Sequence, residues 1–189
     1  MKAVLMSIRS KWWEKITSDE KWDEIRKTKP KLGSPFKVYV YETKGITETP
    51  FVDEDGHEIF KGRGQVVGEF VCNRFVFLDA YYDSNGNRHL CNTAFIKSCV
   101  PDDELFDYLY GKHGYKHGGW AWHISDLVIY DKPKELGTFY QKCKSYDKDE
   151  WDIDNLDCIE CRNPCGNGGK LYLKRPPQSW CYVEELKER

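Results

Sequence analysis

A lysine, a glutamate and an arginine lie close together in Lys21-Trp22-Asp23-Glu24-Ile25-Arg26. If residues 21–27 alternate as a strand, Trp22, Glu24 and Arg26 fall on one face, and Lys21, Asp23, Ile25 and Lys27 on the other. Glu24 and Arg26 then stand about 6.5–7 Å apart along the chain. A guanidinium pairs bidentately with phosphate or carboxylate, and a carboxylate accepts the exocyclic amine of a base. Lys21, in or just before the strand, adds a mobile cation, or a base if desolvation weakens its hold on the proton. Trp22 shares the face of Glu24 and offers a surface on which a base can stack. The competing reading is a Glu24–Arg26 ion pair that merely fastens a strand.

Cysteines supply a second chemistry. Cys143-x14-Cys158-x2-Cys161-x3-Cys165 can present four thiolates to a tetrahedral zinc ion, which would organise a polar segment with little core of its own. Free loop thiols are the alternative, and no thioredoxin-like βαβ pattern surrounds the C-x2-C to favour a redox role. His113-x3-His117 has metal spacing, but Gly111, Gly114, Gly118 and Gly119 argue for a loop there. Trp120 and Trp122 share a strand face, with His123 opposite; Trp122 either stacks a base or packs a core. The glycines at 62, 64 and 68 precede or enter a strand with no helix after them, so they read as a turn or bulge rather than a dinucleotide loop. No Gly-x-Ser-x-Gly, Walker or HExxH pattern occurs.

The elements that must position these residues are short. Residues 3–8 read as a buried strand, and Ser10 as the cap of a helix over 11–18 that turns Trp12 or Trp13 and Ile16 inward. Further strands are expected at 36–41, 65–77, 120–130 and 180–183, a loop or loose hairpin at 44–62 and a loop at 83–87. Helices are expected from Pro101-Asp102, carrying Leu105, Phe106 and Leu109, and over 133–140. Many short strands with few helices predict an α+β fold, a small mixed β-barrel, over residues 1–142 and 171–189, with 143–170 as a Cys-rich insert.

Charge bounds the partners. The 189 residues carry 29 Lys+Arg and 31 Asp+Glu, a net charge of -2, which argues against a uniformly basic nucleic-acid binder. Residues 1–44 nevertheless hold 11 basic and 6 acidic residues, leaving 18 and 25 for the remainder, so the N-terminal part is +5 and the rest -7. A local phosphate-attracting face is compatible with that split. No apolar run reaches membrane-spanning length, and the start lacks a signal-peptide pattern. These features predict a cytoplasmic protein with reduced cysteines.

The stretch Ser18 to Lys27 resembles the signature of the ASCH-domain family: a turn glycine, then x-Lys-x-x-Glu-x-Arg opening a strand. Met1 to Lys15, Gly64 to Phe70, Trp122 to Tyr130 and Arg175 to Trp180 are similar to a bacterial and phage branch of that family. Asp19 stands in place of the turn glycine, in a left-handed position that Asp tolerates better than most residues. The resemblance implies a PUA-like barrel whose cleft receives RNA or a modified nucleoside, here through Lys21, Trp22, Glu24, Arg26 and Trp122. One branch is an amidohydrolase acting on N4-acetylcytidine. Its lysine corresponds to Lys21, while its nucleophilic threonine is replaced by Glu24; no spacing places its distant glutamate, for which Glu69 and Glu104 are candidates. An N4-acylcytidine amidohydrolase or a ribonuclease, with Lys21 and Glu24 as the catalytic pair, is therefore the first alternative to RNA or nucleoside binding. A protein-interaction adaptor using the zinc loop is the second.

Overall fold

The computed structural model describes residues 1–45, 62–111, 118–143 and 169–186. The apolar run after Met1 forms β1 (Lys2–Ile8), buried from Ala3 onward. Arg9 remains extended and its carbonyl accepts the Trp12 and Trp13 N–H groups, so helix α1 (Ser10–Thr17) starts one residue earlier than expected. Ser10 is therefore not the cap, and its buried hydroxyl has no partner among the described residues. Trp13 and Ile16 face inward. Asp19 adopts φ 61, the left-handed turn its position demands. The chain then enters β2 (Asp23–Arg26).

Next come β3 (Phe36–Glu42), β4 (Val66–Leu78), β5 (Ala80–Tyr82), β6 (Arg88–Leu90) and helix α2 (Asp102–Tyr110). They are followed by β7 (Gly119–Lys134), β8 (Tyr140–Lys142), β9 (Lys170–Tyr172) and β10 (Trp180–Glu184). Six of the strands form one sheet in the order β10-β1-β3-β4-β7-β2. β1 and β3 run parallel; the other neighbours are antiparallel. The mixed α+β class is as expected, but backbone pairing does not close the sheet into a barrel. The outer edge of β2 instead gives the N–H groups of Trp22 and Asp23 to the Lys97 carbonyl. Side chains span the gap: Arg26 donates to the Ser7 carbonyl at 2.6 Å, and the Trp180 indole to Thr28 Oγ1 at 3.1 Å.

Alternation gives the coiled sheet two buried faces. Val4, Met6, Ile8, Val38, Val40, Phe70 and Trp122 fill the side closed by Trp13 and Ile16. Ala3, Leu5, Tyr39, Val66 and Val183 pack with Phe139 on the other. α2 lays Leu105, Phe106 and Leu109 over Ile25, Leu78 and Ala121, holding β2 against β7. The expected turn before β4 contains Gly64 at φ 68. Gly68 marks a bulge in β4, where a Cβ would come within 2.5 Å of the Val128 carbonyl.

One further expectation changes. The helix over 133–140 is absent, because β7 continues through Pro133 to Lys134 and only the single turn Leu136–Thr138 follows. An eight-residue stretch containing Pro133 and Gly137 cannot sustain a helix nucleus. The loop expected at 83–87 is present, as the tip of the β5–β6 hairpin. Cys143 is buried and its N–H reaches the Gly169 carbonyl, whereas Cys158, Cys161, Cys165, His113, His117 and nearly all of the 44–62 segment lie outside the described residues. Among the described residues, no helix is long and apolar enough to cross a membrane.

Candidate functional site

Lys21 precedes β2, so strand alternation does not bind it. Its stem folds to the Glu24 side, placing Nζ 3.3 Å from Glu24 Oε2. Nζ also donates to the carbonyls of Asp23 at 2.9 Å and Ser98 at 2.6 Å. Two hydrogen bonds and one ion pair thus hold the Lys21 ammonium, and Lys21 is only 1% exposed. The other Glu24 oxygen lies 2.9 Å from Arg26 Nη2. Glu24 is thus clamped between two cations, and the cluster carries a charge of about +1 in a site where unpaired charge is costly. Arg26 Nε is buried and has no partner among the described residues.

The cluster lines a cavity of about 420 Å³. Arg9, Lys11 and Trp12 also border it, with Glu104 and Tyr108 from α2 and Gln178 and Ser179 from the segment before β10. The lining thus contains four basic residues (Arg9, Lys11, Lys21, Arg26) against two acidic ones (Glu24, Glu104). A chain of negative net charge therefore presents a positive cleft, whose walls focus that field on an entering anion. The Lys11 ammonium sits 4.5 Å from the centre of the Trp12 ring. Burial raises the Tyr108 phenol above its ordinary value, with Arg26 opposing and Glu24 reinforcing the shift, so Tyr108 is a neutral hydroxyl here.

Lys21, Glu24 and Arg26 are brought together; the two expected stacking tryptophans are not with them as open surfaces. Trp22 is exposed beside Asp19, Arg74 and His123, in a separate shallow depression. It lies just before β2, and its indole N–H is held by the Asp19 carboxylate at 2.7 Å, which turns the ring away from the cleft. Trp122 does pair across the ladder with Glu24, but it is 0% exposed beneath Phe36, Phe75 and Trp180. It is core. Trp12 is the tryptophan that lines the cleft, and α1's short amphipathic turn was its one sequence signal. Arg9 and Lys11 belong to the basic N-terminal segment, whereas Tyr108, Gln178 and Ser179 arrive from distant chain with no local signature.

Of the two glutamates considered for a distant catalytic role, Glu104 borders the cleft. Glu69 is elsewhere, 2.6 Å from Lys37 Nζ and bonded by the Tyr130 hydroxyl. Burial pushes the Glu69 carboxyl up, but Lys37 and Tyr130 outweigh it and leave it below its ordinary value. Burial likewise works against the Lys37 ammonium, and Glu69 outweighs it, raising the group. The pair's contribution is therefore complete above the ordinary carboxylate range and below the ordinary lysine range. It fades as pH falls through the lowered Glu69 value. Lys37→Gln is expected to cost about 1–2 kcal/mol at neutral pH, and urea midpoints of variant and parent should converge as the solution is acidified below that value. A constant gap across the titration would contradict the assignment.

No protein-family model and no curated protein matches the chain. Among solved structures, the chain superposes on the ASCH protein of Zymomonas mobilis with a TM-score of 0.51, covering 97% of this chain and 88% of that one at 15% identity. The chain has an ASCH fold. A tyrosine-to-phenylalanine variant of the same Zymomonas mobilis protein superposes with a TM-score of 0.53 at 14% identity, over 98% of this chain and 92% of that one. A serine-to-alanine variant gives 0.52 at 14% identity, over 97% and 89%. At such identities the likeness concerns the ASCH backbone arrangement; the cleft's chemistry rests on the residues described above.

Proposed function

We propose that this PUA-like, ASCH-type domain binds RNA or a modified nucleoside in the cleft floored by Lys21, Glu24 and Arg26. The observation that carries the reading is the fixed Lys21–Glu24–Arg26 cluster beneath a rim formed by Arg9, Lys11 and Trp12. A phosphate suits the rim cations, and a base suits the Trp12 ring and the polar floor. The small number of cations fits a few phosphate contacts and agrees with the net charge of -2.

Binding is favoured over catalysis because both expected catalytic groups are committed. Lys21 donates to two carbonyls and is ion-paired with Glu24, and Glu24 is shared by two cations. An amidohydrolase or ribonuclease on this scaffold would draw on Glu104 as the cleft carboxylate outside that clamp. Zinc on Cys143, Cys158, Cys161 and Cys165, and the adaptor role built on it, stay expectations of spacing, because three of the four cysteines fall outside the described residues.

Fluorescence anisotropy with a labelled single-stranded RNA tests the reading. Arg9→Ala combined with Lys11→Ala removes two exposed rim charges without opening the buried cluster. Affinity should fall roughly tenfold or more, and the slope of log K against log salt should shrink by about 1.4. Absence of binding by the parent protein at low salt would reject the proposal.

A further inference from the structure

The chain leaves the cleft at Arg26 and runs directly into Lys27-Thr28-Lys29-Pro30-Lys31, in which Lys27, Thr28, Lys29 and Lys31 are exposed. This basic segment lies over aromatic rings. The Lys27 ammonium is 5.2 Å from the centre of Tyr108, a cleft residue, and donates to the Leu109 carbonyl at 2.9 Å. The Lys29 ammonium is 3.9 Å from Trp120 and 5.4 Å from Phe75. Phe77 lies against Trp120 with ring centres 5.1 Å apart, and is 42% exposed, as is Tyr108. The rings are tied to the cleft by register, since Arg26 pairs across the ladder with Trp120, which in turn pairs with Phe77.

We propose that this strip is a single-stranded RNA track continuous with the cleft. Lys29 and Lys31 would contact phosphates, while Phe77 and the uncovered parts of Tyr108 and Trp120 receive bases. The idea rests on the RNA reading of the cleft and adds to it: the ligand is an oligonucleotide whose flanking residues are gripped outside the pocket. The charge pattern supports this occupant. Three consecutive odd-numbered lysines bring positive charge with no acidic residue among residues 25–31, and two of them, Lys27 and Lys29, lie over rings. Cations beside stacking surfaces are the combination that holds a single strand irrespective of sequence. Lys27 is the anchored member, because its amine closes the end of α2. Lys29, already over Trp120, can exchange ring contact for a phosphate without backbone movement.

The test compares a mononucleotide, which only the cleft can hold, with a single-stranded octanucleotide. Lys29→Ala combined with Lys31→Ala should weaken octanucleotide binding roughly tenfold and reduce its salt slope by about 1.4. Phe77→Ala should weaken it several-fold while leaving that slope in place, since stacking releases no counterion. Neither change should alter mononucleotide affinity. Octanucleotide binding that survives the double lysine change with its slope intact overturns the track. A parent protein that binds the mononucleotide and the octanucleotide equally well also overturns the track, while the cleft reading stands. Octanucleotide binding that depends on Lys29 and Lys31 but is insensitive to the Arg9 and Lys11 changes upholds the strip and removes the cleft. Equal competition by an oligoglutamate peptide would reassign the strip to acidic protein segments and reject RNA as its occupant.

Discussion

Glu24→Ala should lower the stability of the fold by about 3–5 kcal/mol, the cost of leaving buried cations without their carboxylate. Glu24 is 5% exposed and separates two cations, Lys21 at 3.3 Å and Arg26 at 2.9 Å. Without the carboxylate, both cations remain buried, and each has lost its counter-ion. The carbonyls of Asp23 and Ser98 still hold Lys21, and that of Ser7 still holds Arg26, so the cations cannot swing into solvent without abandoning those bonds. For a chain of this size the loss corresponds to a fall in melting temperature of roughly 6–20 °C. Glu24→Gln separates charge from shape: it keeps an acceptor oxygen, and whatever stability it loses relative to the parent is mainly the missing charge. Calorimetry or urea melts of the two variants would read this directly. A Glu24→Ala protein as stable as the parent would mean that the cluster is hydrated and mobile, and the argument for a preorganised cleft floor would fail with it.

Strand periodicity made much of this architecture legible. The buried run in β1, the alternation in β3 and the helical spacing of Leu105, Phe106 and Leu109 are all local consequences of side-chain type. The neighbourhood of Glu24 and Arg26 was legible for the same reason, since residues two apart in a strand must share a face. Lys21 was assigned to the opposite face by carrying that rule one turn too far. β2 begins at Asp23, and upstream of it a four-carbon stem goes where three acceptors call it. Trp22 was misplaced by the same extrapolation.

Other parts lacked a local signal. The strands of the β5–β6 and β8–β9 ribbons are three residues long, too short for a period to register. Tyr108 and Ser179 reach the cleft through tertiary packing alone. Whether the sheet closes is decided by what occupies the outer edge of β2, and the Lys97 carbonyl that takes that place is more than 70 residues away in sequence.

Trp122 is where face assignment and environment part company, and its replacement tests which matters. The sequence offers it, on the face it shares with Trp120, as a surface that could stack a base; the fold pairs it with Glu24 and covers that surface with Phe36, Phe75 and Trp180. Trp122→Ala should therefore behave as a core deletion and cost about 3–5 kcal/mol. Trp122→Phe should cost far less, below about 1.5 kcal/mol. The indole N–H is buried with no partner among the described residues, and removing an unsatisfied donor recovers part of its desolvation cost, offsetting the lost volume. The two roles predict opposite results for the ligand. A core Trp122 leaves RNA affinity in the Phe variant within about twofold of the parent, the scatter expected of a change that touches no ligand. A stacking Trp122 loses affinity in both variants, about 1–3 kcal/mol per base in the alanine form. Melts and anisotropy on the same pair of proteins distinguish these outcomes. Affinity lost in the Phe variant with stability retained would return Trp122 to the binding surface, and would require the cover formed by Trp180 to open when RNA binds.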